Sequence, residues 1–83
     1  MKPTVTIVEE NTQEGLKRMK AGKWYKHLYS DYLVMPYKFC GNRATYALAV
    51  NPEHNIVSTE WLIGHISSYK PFEGTVMITW ETE

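Results

Sequence analysis

The residues able to do chemistry are few, and their spacing is informative. Cys40, His27, His54 and His65 are the soft and imidazole metal-ligand types present. No two of them stand at C-x-x-C or H-x-x-x-H spacing, the arrangements that place two ligands on one ion. Ser58, His65 and Asp31 contain the atoms of a nucleophilic triad. Yet Asp31 is the sole aspartate, no glycine elbow surrounds a serine, and Ser58 has the type and place of a helix cap. There is no P-loop and no Gly-x-Gly-x-x-Gly. The reading is therefore of a non-enzyme, with no catalytic residue, no metal site and no cofactor.

Binding chemistry is the alternative. Trp24, Tyr25 and Tyr29 interleave with Lys23 and Lys26, a pattern that can stack single-stranded bases. Lys and Arg total 9 and Asp and Glu total 9, so the formal net charge is zero. Nucleic-acid binding needs surplus cations to release counterions, and this balance argues against it. Glu9-Glu10 is read as a solvated loop, or as the mate of a basic partner patch.

These residues sit on a chain of 83, sufficient for one small domain. A chain of this size buries only about 60–65% of its unfolded surface, so its stability must come from one compact core. Apolar residues at 43% are enough for that core. The single cysteine cannot close an intrachain disulfide, no run approaches a membrane span, and the N-terminus lacks a signal peptide's apolar stretch. An intracellular domain is expected.

Thr4 to Val8 is β-branched or alternating and reads as a strand. Asn11 with Glu14 has capping-box spacing, which predicts a helix over 12–21 closed by Gly22. Lys23–Leu28 and Tyr32–Met35 read as strands, the second halted by Pro36. Asn42 is placed to cap an alanine-bearing helix to Val50, broken at Asn51-Pro52. Ile56-Val57 is a brief strand. Ser58 then caps a helix on which Trp61 and His65, and Leu62 and Ile66, make an apolar stripe. Trp61 is read as core. Gly74 to Trp80 alternates as a strand. Strands interleaved with helices predict an α/β fold with a mostly parallel sheet.

The same residues resemble the BRCT repeat of DNA-damage-response proteins from about Thr4 to Ser68. Ala21-Gly22 sits at the family's Gly-Gly pair, and Asp31–Val34 at its Thr-His-Leu-Val strand. Thr45–Ala49 is similar to its Lys-Tyr-x-x-Ala helix, and Ile56–Leu62 to its last strand and helix, with Trp61 on the marker tryptophan. Gly22, Tyr46 and Trp61 are thus the structural hallmarks. The resemblance implies a three-layer fold, a four-stranded mostly parallel sheet flanked by three helices. It also implies a nuclear DNA-repair or checkpoint scaffold whose partner is another repeat or a checkpoint protein, or a second copy in a homodimer.

Phosphate-binding members carry a Ser/Thr and a Gly after the first strand and a Lys in the second helix; here stand Glu9-Glu10 and Thr45. Two carboxylates repel a dianion. The expected mode is therefore packing against protein. A phosphopeptide site of Thr6, Arg43 and Thr45 is one alternative, and a small virus-encoded inhibitor of a host protein is another. Residues 1–70 form the repeat in this reading. Residues 71–83 supply a strand that either edges this domain or opens a following repeat.

Overall fold

The computed structural model describes residues 2–10 and 18–81. These residues form seven strands: β1 Lys2–Glu10, β2 Tyr25–His27, β3 Leu33–Cys40, β4 Arg43–Asn51, β5 Ile56–Leu62, β6 Tyr69–Pro71 and β7 Glu73–Glu81. A single 3-10 turn at Ile66–Ser68 is the only helical element among the described residues. The strands form a five-stranded sheet in the order β5-β4-β3-β2-β6 and a two-stranded ribbon of β1 and β7. Every pairing is antiparallel.

The α/β expectation is overturned. Arg43–Val50, read as a helix, is all of β4 but its last residue, and Ser58–Leu62, read as a helix with its cap, belongs to β5. The sheet is antiparallel, so the three-layer arrangement of parallel strands and flanking helices is not formed. The helix expected over 12–21 lies largely outside the described residues; Arg18 to Lys20 is non-helical and Ala21-Gly22 forms a turn. Gly22 does take positive φ, at 80°, though in that turn and not at a helix end.

The reason lies in the two faces of the sheet. Along β4, Ala47 and Ala49 face one way with Val34 of β3 and Tyr25 of β2, whereas Val50 faces the other way with Leu33. That is the period of two of a strand covered on both sides, which a short window of apolar residues does not separate from a helix. On one side the ribbon lays Val5, Ile7, Val76 and Ile78 against Leu33, Val50, Val57 and Phe72. Leu33 and Val50, the fully buried aliphatic side chains of this group, each stabilise by about 1.5–3 kcal/mol.

On the other side the sheet curls around its own core of Met19, Tyr25, Val34, Ile63 and Tyr69. The alanines of β4 are the small residues that let large rings from the two ends of the sheet meet over its middle. Bulges help the curl. Tyr37 of β3, Thr45 of β4 and the Thr59-Glu60 pair of β5 fall outside the regular registers.

The β4–β5 turn ties sheet to ribbon. Asn51, buried, accepts the backbone N–H groups of Glu53 and His54 on its Oδ1. Asn55 takes φ 53°, a left-handed conformation that asparagine tolerates, and its Oδ1 accepts the Val5 N–H at 3.1 Å.

Candidate functional site

The expected site residues are scattered. Thr6 is exposed on the ribbon, opposite Met77. Arg43 is exposed at the start of β4, opposite Cys40. Thr45 Oγ1 donates to the Lys38 carbonyl at 3.1 Å, which occupies the hydroxyl that a phosphate would need. Thr6 and Thr45 thus sit in separate sheets and make no joint pocket with Arg43. Ser58 pairs with Ala49 in β5, Asp31 is on the turn before β3, and His65 follows β5, so no triad forms. Among the described residues no group of three or more His, Cys, Asp or Glu is placed to hold a metal ion, and no helix is long and apolar enough to cross a membrane.

The aromatic run Trp24, Tyr25, Tyr29 is split by strand alternation. Trp24 packs on the ribbon side, Tyr25 is buried on the opposite side, and Tyr29 is 79% exposed in the turn after β2. They form no common stacking platform.

Trp61 is half-buried in β5 and not on a helical stripe. Its ring lies 4.7 Å from that of Tyr32 and 5.8 Å from that of His27. Its Nε1–H donates to Tyr69 Oη at 2.8 Å, and Tyr69 donates onward to the Ile63 carbonyl at 2.7 Å. Burial pushes the Tyr69 phenol above its ordinary value of 10.0, and the hydrogen bond from Trp61 opposes that shift. This network joins the two edges of the sheet.

One surface with exposed large side chains lies across β3, β4 and β5. Tyr46 and Leu62 are cross-strand partners and are 37% and 66% exposed. Tyr37, 52% exposed, reaches past β4 to donate its hydroxyl to the Thr59 carbonyl at 2.6 Å. Lys38 Nζ stands 5.6 Å from the Tyr46 ring centre, a cation–π contact. Two tyrosines and a leucine therefore share one exposed region at the end of the sheet. Sequence reading missed this surface because it placed Tyr46 and Leu62 on two different helices. Strand pairing alone makes them neighbours.

No family model, no curated protein and no solved structure matches this chain.

Proposed function

We propose that this chain is a non-catalytic protein-interaction module that self-associates through the Tyr37–Tyr46–Leu62 surface. The observation that carries the reading is the exposure of three large side chains, apolar or aromatic, on adjoining strands. Tyrosine is favoured at association hot spots because it brings a large rigid area with a polar tip. The zero net charge sets up no overall repulsion between two copies.

The mode is face packing and not strand addition. Among the described residues no strand pairs with the outer edge of β5, but the Thr59-Glu60 bulge distorts that edge and Glu60 places an exposed charge on it. Both features discourage edge-to-edge pairing. The nuclear checkpoint role was implied by an α/β resemblance, and the association reading does not need it.

Sedimentation equilibrium from micromolar to millimolar protein tests the reading. A dimer is expected, dissociated by Leu62→Glu. A monomer throughout that range, or a dimer that Leu62→Glu leaves intact, would sink it.

A further inference from the structure

A cleft of about 570 Å³ opens between the start of β4, the segment after β5 and the Arg18-Met19 segment. Its floor is apolar and buried: Met19, Ala44 and Ile63. Arg18 and Arg43, both exposed, line it from two separate parts of the chain, and the exposed Ile66 lines it too. Asn42 and His65 also line the cleft, and among the described residues none that lines it is acidic. A chain of zero net charge thus places two permanently cationic residues along the lining of one hollow with an apolar floor.

The backbone holds Ile63, part of that floor, in place. Ile63 is fixed at both ends of its peptide, its N–H donating to the Thr45 carbonyl and its own carbonyl accepting from Tyr69. Gly64 then turns the chain at φ 72°, and a Cβ placed there would meet nothing within 4 Å. The volume falls in the range of small-ligand sites, roughly 300–1,000 Å³. Guanidinium forks match the paired oxygens of a carboxylate or phosphate, and an apolar floor favours a hydrocarbon or ring.

We infer that this cleft binds a small amphipathic anion, with a carboxylate or phosphate head held by Arg18 and Arg43 and an apolar body over Met19, Ala44 and Ile63. The association surface of Tyr37, Tyr46 and Leu62 shares no residue with it, so either assignment can fail alone.

Octanoate, octyl phosphate and 1-octanol are the probes, titrated into the whole chain by calorimetry and followed by methyl NMR. At least one of the two anions should bind about tenfold more tightly than octanol, the size expected of one charge-assisted pairing. The better anion identifies the head group. Its binding should shift the methyl signals of Ile63 and Met19. Arg18→Gln and Arg43→Gln, both at exposed positions, should each weaken that anion and leave octanol unchanged. Octanol binding as tightly as both anions would overturn the inference. So would anion binding unaltered in the double Arg→Gln variant, or methyl shifts that appear elsewhere and not at Ile63 and Met19.

Discussion

Trp61 and Tyr69 lie on the two opposite edge strands of the same five-stranded sheet, yet the indole N–H of one donates to the phenol oxygen of the other at 2.8 Å. A flat sheet would hold its edges far apart. The contact exists because the sheet twists and curls until β5 and β6 face each other across the alanines of β4. His27, from β2, fills the angle between them, 5.1 Å from the Tyr69 ring and 5.8 Å from the Trp61 ring. The Tyr69 hydroxyl both accepts from Trp61 and donates to the Ile63 carbonyl, so one oxygen joins an edge strand, the crossing segment and the opposite edge.

Tyr69→Phe should therefore be costly for the loss of one atom. It leaves a carbonyl and an indole N–H without partners in or near the core. The expected loss is about 2–3 kcal/mol, since each orphaned buried group costs about 1–3 kcal/mol. Urea unfolding followed by tryptophan fluorescence measures it. A loss under about 0.5 kcal/mol, below a single net hydrogen bond, would show that the network does not hold the sheet closed.

The same phenol gives the fold an alkaline limit. Burial raises its folded-state pKa above the ordinary 10.0, so the folded chain retains that proton more strongly than the unfolded one. The stabilisation is complete below the unfolded value. It falls as pH rises above 10.0 and toward the raised folded value. Wild-type stability should thus decline above that pH more steeply than that of Tyr69→Phe, which has no proton there to lose. Parallel stability–pH profiles for the two proteins would refute the assignment.

Trp61→Ala removes the indole stacked on Tyr32 and unpairs the Tyr69 hydroxyl from its donor. The residue is half-buried, so the cost belongs at the lower end of the large-to-small range, about 2–3 kcal/mol. Trp61→Phe should recover part of the packing but not the hydrogen bond. Equal stability of the Phe and wild-type proteins in thermal denaturation would assign the indole N–H no role.

Asn55→Ala tests how the ribbon is moored. It deletes the acceptor for the Val5 N–H and puts a residue ill-suited to positive φ at 53°. A loss of about 1–3 kcal/mol is expected. Asn55→Gly keeps the backbone freedom and should lose less. If Gly and Ala cost the same, the turn conformation contributes nothing measurable.

Parts of this organisation could be read from residue order. Val5 and Ile7 in β1, and Val76 and Ile78 in β7, recur at every second position and form strands with one inward face. The association surface and the cleft were not legible. Each draws on residues far apart in the chain, Tyr37 with Leu62 and Arg18 with Arg43.

By itself, then, the sequence determined a small chain of neutral net charge, rich in aromatics, with two amphipathic strands near its ends. Tertiary structure alone decided that Arg43–Val50 and Ser58–Leu62 are extended. Alanines and a well-placed serine favour a helix in isolation, but strand pairing and burial outweigh those weak local preferences. In β4 the small side chains serve the opposite purpose. They leave room above the middle of a curled sheet for Tyr25, Tyr69 and Trp61 to pack together, and that space exists only once both edges have come around.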